Sequence, residues 1–448
     1  MTIQSIKMTG SLRAVVIFAG WAMDARPFAS LHKDGYDLYV AYDYRTAEAD
    51  TAQLERYDEI CIVAWSWGVP AAAHFIHRHS ELTVTAAIAV NGTMTPIDDT
   101  CGIPERIFQG TLDGLTESSL AKFYRRVCGS ASLYRRFAEN APMRDFASLR
   151  PELEAIRDNG AATLSPLIFD RVMISDTDLI IPSDNQRHAW KVHPCVMETE
   201  GAHLPDFQRI LDLYVRDKSL IGERFAAASA TYPQEANVQR HIARRLAALW
   251  RSHDSREAVS ILELGTGCGF MTEHYIKAPW CRRATLVDLY PSIDGVEVGD
   301  AETYPLASGE WDTVIAASAM QWFNSIRRFL QRAADALPPG GIMALSGFGE
   351  RHFHELRGMI PNSLYYYSTE EFASIVPDGL RIVAAEDETV TITFTDMRDM
   401  LDHLRLTGVN GITSRQTVGI TRRILAEMSA SDSPTLTYHP TYFILRKI

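Results

Sequence analysis

The sequence predicts an α/β protein of two domains, each built on a buried parallel sheet. Three observations predict it. Short β-rich apolar runs alternate with helical stretches; the alternation breaks between residues 90 and 171; and it restarts after about residue 222. The first set of strand candidates is 14–18, 37–40, 59–64, 84–90, 171–174 and 196–198. Runs this short and this apolar, separated by helices, suit strands buried on both faces. The break, where 117–158 reads as several helices, suggests a cap inserted over the sheet edge at about 100–165. The second set lies near 260–264, 284–289, 311–317 and 341–346, with closing strands near 389–394 and 436–446. A last helix at 206–215 puts the domain boundary at 217/218, giving domains 1–217 and 218–448. The length of 448 residues, long for a single core, agrees with that division.

Composition narrows the class. An apolar share of 46% and a charged share of 22% are those of ordinary globular protein. A formal net charge of -12 argues against a nucleic-acid binder and against a polybasic membrane surface. The short apolar run at 14–19 reads as a strand rather than a signal peptide, and no run approaches bilayer length. Six cysteines are scattered without CxxC spacing, which fits reduced thiols in a cytoplasm and offers no metal site. The expectation is a cytoplasmic protein with no metal, no membrane and no nucleic acid.

Each half carries a chemical signature. In Ala64-Trp65-Ser66-Trp67-Gly68 a strand runs into Ser66, and Gly68 opens a helical run. A nucleophile on a sharp strand-to-helix turn needs small flanking residues, and Ala64 stands where the usual first glycine would be. Asp178, in Ser175-Asp176-Thr177-Asp178, follows a later strand, and His203, in Glu200-Gly201-Ala202-His203, follows another. Serine, acid, histidine is the α/β-hydrolase order. His203 would take the Ser66 proton while Asp178 holds the tautomer. Asp176 competes for the acid role, with the spacing to Pro182 favouring Asp178. The oxyanion hole would use the backbone N–H groups of Trp67 and of Trp21, in the turn after the first strand. The competing reading is that these are ordinary turn residues and His203 a surface histidine.

In the second half, Glu263-Leu264-Gly265-Thr266-Gly267-Cys268-Gly269 lies between a strand and an expected helix from Phe270. Glycines there admit a nucleotide close to the backbone at a helix N-terminus. The loop alone does not separate a dinucleotide from S-adenosylmethionine. Its surroundings favour the latter. Glu263 opens the E-x-G-x-G-x-G form, Asp288 ends the next strand where a carboxylate can bind ribose hydroxyls, and Asp300 and Ala301 follow the third, suiting an adenine contact. The closing strand pair looks like the antiparallel hairpin of a class I S-adenosylmethionine-dependent methyltransferase, a Rossmann-like fold.

Specific stretches then resemble known families. Phe18-Ala19-Gly20-Trp21, Ser66-Trp67-Gly68 and Asn91-Gly92-Thr93-Met94-Thr95-Pro96-Ile97-Asp98-Asp99 resemble the short pimeloyl-acyl-carrier-protein methyl ester esterases of biotin synthesis (the BioG type), over residues 10–215. FAAASATYPQEANVQ at 225–239, Ala319-Met320-Gln321-Trp322, LDHLRLTGV at 401–409 and, more weakly, Phe353-His354-Glu355-Leu356-Arg357 resemble the malonyl-acyl-carrier-protein O-methyltransferases (the BioC type), from about 223 onward. The resemblance implies a bifunctional enzyme. One half would methylate the free carboxyl of malonyl-acyl carrier protein with S-adenosylmethionine; the other would hydrolyse pimeloyl-acyl carrier protein methyl ester. Tyr232, Gln321, Trp322 and Arg357 are acceptor-site candidates by position. Lys122, Arg125, Arg126, Arg135 and Arg136 form a cationic cluster on the cap, suited to an acidic carrier protein, although Glu117, Glu139 and Asp145 nearby also fit a plain solvated face. Two alternatives stay open: another carboxylate substrate (a polyketide acid or a coenzyme A ester), or a hydrolase-like half that only docks the carrier.

Overall fold

The computed structural model describes residues 1–448 apart from 160, 357–363, 365 and 408–433. The chain forms two compact units, Met1–Leu211 and Asp212–Ile448, divided a few residues before the boundary expected from pattern.

The first unit is a seven-stranded sheet in the order β1-β3-β2-β4-β5-β6-β7. The strands are β1 Thr2–Lys7, β2 Arg13–Phe18, β3 Asp37–Tyr42, β4 Glu59–Trp65, β5 Val84–Val90, β6 Arg171–Ser175 and β7 Val196–Thr199. From β2 to β7 every pairing is parallel. The central strands are buried on both faces: β4, EICIVAW, has no residue open to solvent. Strand β1 escapes the apolar-run criterion because TIQSIK is mostly polar and exposed, and it lies antiparallel on the sheet edge. The helices are α1 Gly68–Arg78, α2 Glu105–Asp113, α3 Glu117–Cys128, α4 Ala131–Glu139, α5 Phe146–Asn159, α6 Ser183–Ala189 and α7 Phe207–Tyr214. Helices α2 to α5 fall between β5 and β6. Their apolar faces, with Phe108, Leu112, Leu149, Leu153 and Ile156, bury Trp21 and Trp67 in one cluster. A core of Val16, Phe18, Ile62, Val69, Phe75 and Trp190 packs another face of the sheet.

The second unit holds α8 Lys218–Ala228, α9 Tyr232–Glu235, α10 Asn237–His253, α11 Ile326–Ala336, α12 Thr369–Ile375 and α13 Met397–Leu406. Its strands are β8 Val259–Leu264, β9 Cys281–Asp288, β10 Val296–Val298, β11 Thr313–Ala316, β12 Ile342–Phe348, β13 Leu380–Asp387, β14 Val390–Thr393, β15 Thr435–Tyr438 and β16 Pro440–Lys447. The sheet order β10-β9-β8-β11-β12-β16-β13 is Rossmann-like, parallel as far as β12. Strand β16 then inserts antiparallel between β12 and β13.

Two expectations are corrected here. The closing hairpin is β13 with β16, not the 389–394 segment with 436–446. Strand β14 leaves the main sheet and pairs with β15 in a separate two-stranded sheet. The half-buried β13, LRIVAAED, lacks the apolar run that would mark it. The helix expected from Phe270 is reduced to a 3-10 turn, Thr272–His274. Pro279 cuts the segment short before β9, because a proline disfavours helix in the residue before it and cannot donate to an earlier turn. No helix among the described residues is long and apolar enough to cross a membrane.

Candidate active sites

In the first unit, β4 ends at Trp65 and α1 starts at Gly68, so the chain must reverse at Ser66 and Trp67. Ser66 takes φ 58°, a left-handed backbone that costs about 1–2 kcal/mol for a non-glycine residue. The neighbours permit so tight a turn. A Cβ on Gly68 would lie 2.1 Å from the carbonyl oxygen of Phe18, and one on Gly92 would lie 2.4 Å from that of Ser66.

The strand ends bring Ser66, His203 and Asp178 into one hydrogen-bonded line. His203 Nε2 lies 2.8 Å from Ser66 Oγ, and Nδ1 lies 2.7 Å from Asp178 Oδ2. All of them are buried. The Asp178 carboxylate is fixed on every side: Oδ1 accepts from the N–H groups of Ile180 (2.8 Å) and Ile181 (3.0 Å), and Oδ2 also accepts from Gln186 Nε2 at 2.8 Å. Asp176, the competing acid, instead accepts from the Gly201 N–H at 3.0 Å. The His203 backbone is anchored too, because its carbonyl accepts from Trp65 Nε1 (2.7 Å) and Asn91 Nδ2 (2.9 Å). Such a line can pass a proton from a serine hydroxyl to imidazole while the carboxylate stabilises the cation. The N–H groups of Trp21 and Trp67 make no hydrogen bond within the described residues, which leaves both as donors for a developing oxyanion.

Sequence reasoning gave no role to Gln186, Asn91 or Trp65. Asn91 and Trp65 stand inside motifs it quoted, but their bonds to the His203 carbonyl span 112 and 138 residues, and Gln186 reaches Asp178 from α6. The cationic cluster lies where it was expected. Lys122, Arg125 and Arg126 on α3 and Arg135 and Arg136 on α4 are all exposed, and none is in an ion pair among the described residues. Arg125 lies over the Tyr134 ring, 5.3 Å from its centroid.

In the second unit a cleft opens at the ends of β8, β9 and β11. Its lining includes Glu263, Gly265, Gly267, Asp288, Asp300 and Ala301. Glycine is required at Gly265, where φ is +78° and a Cβ would lie 2.6 Å from the Ala319 Cβ. Glu263 is buried at the loop's start. Its Oε2 accepts from Thr272 Oγ1 at 2.8 Å and from the Tyr275 hydroxyl, while Oε1 is buried with no partner among the described residues. Burial pushes its carboxyl up to about 7. Asp288 Oδ2 accepts from the Gly267 N–H at 2.7 Å, and burial raises its carboxyl as well. Asp300 is engaged by Lys218, whose Nζ lies 3.1 Å from Asp300 Oδ1 and 2.9 Å from Glu302 Oε2. Burial pushes Cys268, within the loop, up to about 11, so its sulfur stays a protonated thiol of low nucleophilicity.

Tyr232, Gln321 and Trp322 line the same cleft, with Phe225, Gln239, His352 and Tyr438. Tyr232 stacks on Phe270 with ring centroids 5.9 Å apart, and Trp322 meets Phe225 edge-on at 5.4 Å. Gln321 Nε2 donates to the Ser318 carbonyl at 2.6 Å, and its Oε1 is buried without a partner among the described residues. Arg357 lies outside the described residues, as do positions 408 and 409 of the 401–409 stretch. His352, missed from sequence, is buried between the Phe348 and Phe353 rings at 3.9 and 3.8 Å, and burial holds it well below the usual histidine range.

Comparison with known proteins bears on both units. Residues 1–212 match the family described as pimeloyl-ACP methyl esterase BioG, and residues 235–378 match a methyltransferase domain family. The malonyl-[acyl-carrier protein] O-methyltransferase of Bacteroides fragilis (strain 638R) is 34% identical over 457 residues, covering 97% of this chain and 93% of that protein. The chain belongs to the malonyl-[acyl-carrier protein] O-methyltransferase family, as a BioG–BioC fusion. The methyltransferase half alone is 31% identical to the same-named protein of Bacteroides thetaiotaomicron, over 52% of this chain and 98% of that one. The BioG half is similar to the crystal structure of BioG from Haemophilus influenzae, with 33% identity, a TM-score of 0.42, and coverage of 45% of this chain and 94% of that one.

A methyltransferase domain implies S-adenosylmethionine as methyl donor, and the cleft suits it. The unpartnered Glu263 Oε1 is an acceptor waiting for a donor, and an ammonium group meets that need.

Proposed function

We propose that this chain both installs and removes the methyl ester that masks a carrier-bound acid during biotin precursor synthesis. The observation that carries the reading is the Ser66–His203–Asp178 line occurring on one chain with the Glu263–Asp288 cleft, in a family named for malonyl-acyl-carrier-protein methylation.

In the methyltransferase domain, S-adenosylmethionine supplies an electrophilic methyl group. Glu263 would hold the ammonium of its methionine end and Asp288 its ribose hydroxyls, with Ala301 beside the adenine. The malonyl carboxylate is already ionised, so the site needs no general base. Its work is alignment and exclusion of water. Tyr232, Gln321 and Trp322 do that work in this reading. Lys218, the only lysine or arginine among the described lining residues, is already spanned by Asp300 and Glu302. Among the described residues the groups left for the acceptor carboxylate are neutral, and Arg357, the cationic candidate, lies outside them.

The BioG domain, read as an α/β-hydrolase, runs the reverse chemistry as a serine carboxylesterase. Ser66 Oγ attacks the methyl ester carbonyl while His203 takes its proton. The tetrahedral oxyanion is held by the Trp21 and Trp67 N–H groups. Methanol leaves with the proton from His203, and water then cleaves the acyl-serine to the free acid. The exposed arginines and lysine of α3 and α4 are the surface on which an acidic carrier protein would rest.

Mass spectrometry of malonyl-acyl carrier protein incubated with S-adenosylmethionine and the Ser66→Ala chain tests the reading, because the variant cannot erase its own product. A gain of one methylene on the acyl group is expected. Methylation of malonyl-coenzyme A or of a free acid, with the carrier form untouched, would overturn it.

A further inference from the structure

One buried carboxylate of the BioG domain has no part in the Ser66 line. Glu152, on α5, is wholly buried. Its Oε1 accepts from the Tyr44 N–H at 2.9 Å, and the Ala22 backbone N–H faces the carboxylate. The Arg144 guanidinium approaches Oε2 at 3.3 Å without hydrogen-bond alignment, and it donates to the Met23 carbonyl at 3.2 Å. Around them the helical insertion grips the same turn repeatedly. Trp21 Nε1 donates to the Leu149 carbonyl at 3.1 Å, the Tyr124 hydroxyl to the Ala22 carbonyl at 3.0 Å, and the Met143 N–H to Asp24 Oδ2 at 2.7 Å.

The turn so held is strained. Ala22 has φ 64°, a conformation an alanine leaves unless its surroundings over-determine it. Ala22 thus has its N–H facing Glu152 and its carbonyl fixed by Tyr124, which holds the peptide planes on either side of it. Packing alone would be served as well by leucine, and a buried acid is costly to keep. Burial pushes this one up to about 7.

We infer that Glu152 is a positioning residue of the esterase site: from the inserted helices it locks the Trp21–Ala22 turn, and so aims the Trp21 N–H at the ester oxyanion. This rests on the esterase reading above. Glu152 touches no substrate. It acts through the backbone it holds.

The test is steady-state hydrolysis of pimeloyl-acyl carrier protein methyl ester by the full chain. Rates are divided by the Ser66 sites that a fluorophosphonate titrates, so that unfolded protein does not enter. Glu152→Ala is expected to lower kcat per site about 100-fold with KM within about twofold, the signature of a lost oxyanion donor. Glu152→Gln keeps the volume and an acceptor for the same N–H groups. It is expected to recover to within about tenfold of the wild type, and it carries the test if the alanine variant does not fold. A Glu152→Ala kcat per site equal to wild type, or a Glu152→Gln kcat per site more than about tenfold below it, would overturn the assignment while the esterase reading stands. A wild-type chain that neither hydrolyses the ester nor reacts with the fluorophosphonate would remove the reading itself, and the assignment with it.

Discussion

At the scale of single residues, the carboxyl groups are distinguished by how their oxygens are satisfied. Asp178 has donors on both oxygens, and its role depends on presenting an acceptor to His203 Nδ1. Asp178→Asn offers an amide in its place and stabilises the wrong tautomer. Ester hydrolysis should fall about 10⁴-fold in kcat with KM little changed, and methyl transfer by the same protein should be unaffected. Glu263 is the opposite case, with one oxygen unpartnered and the group raised to about 7 by burial. Raised above the ordinary carboxylate range, it is largely protonated at pH 6 and ionised at pH 8. A cationic ligand requires the ionised form, so affinity for S-adenosylmethionine should rise about tenfold across that interval. Calorimetric titration at the two pH values would measure it, and Glu263→Gln should lose that part of the dependence. Ser66, Asp178, His203, Glu263 and Asp288 could be read from sequence because each stands at or shortly after the end of a strand, in a fixed order. The roles of Gln186, Asn91, Tyr275 and Glu152 could not, since each depends on a side-chain hydrogen bond that only the folded turns and helices bring about.

At the scale of elements, strands buried on both faces announced themselves, and the edge strands β1 and β13 did not. Strands β4, β5, β8 and β12 are mostly apolar and buried along almost their whole length, whereas β1 and β13 satisfy their backbones on one side of the sheet with mixed residues. The 3-10 turn after the glycine loop has a related cause. A helix was expected from the loop's usual context, but the side chains of Thr272 and Tyr275 bind back to Glu263, and Pro279 leaves no room for more turns. The contact between β2 and α1 yields a sharper prediction. At Gly68 the clash of an added Cβ is with the Phe18 backbone and no rotamer relieves it, so Gly68→Ala should cost at least about 3 kcal/mol. Gly110→Ala, within α2 and with nothing inside 4 Å of the added atom, should be neutral or stabilise by up to about 1 kcal/mol. Urea melts of the BioG domain's near-ultraviolet signal in the full chain would separate the two. Equal effects would mean that the α1 start is looser than its geometry.

At the scale of the whole molecule, the two proposed activities oppose one another. A methyl ester made by one domain is released beside an esterase on the same chain, at an effective concentration set by covalent linkage rather than by the cell. If that esterase accepted the malonyl ester, every turnover would consume S-adenosylmethionine and restore the starting acid. The fusion is therefore workable only if hydrolysis discriminates by acyl length. The discrimination has a physical basis: a pimeloyl chain brings additional methylenes, each contributing about 0.8 kcal/mol when buried. Four such groups, spent on the transition state, amount to about 3 kcal/mol and separate the substrates by about 10² in kcat/KM. The apolar cluster that the inserted helices form over Trp21 and Trp67, with Phe108, Leu112, Leu149 and Leu153, is the material for such a pocket. Hydrolysis of methyl esters of graded length on acyl carrier protein should thus climb steeply from malonyl to pimeloyl, and Leu153→Ala should flatten the climb more than it lowers the malonyl rate. Comparable rates across the series would mean that the domains do not serve one pathway on one carrier, because the chain would then undo its own product as fast as it formed.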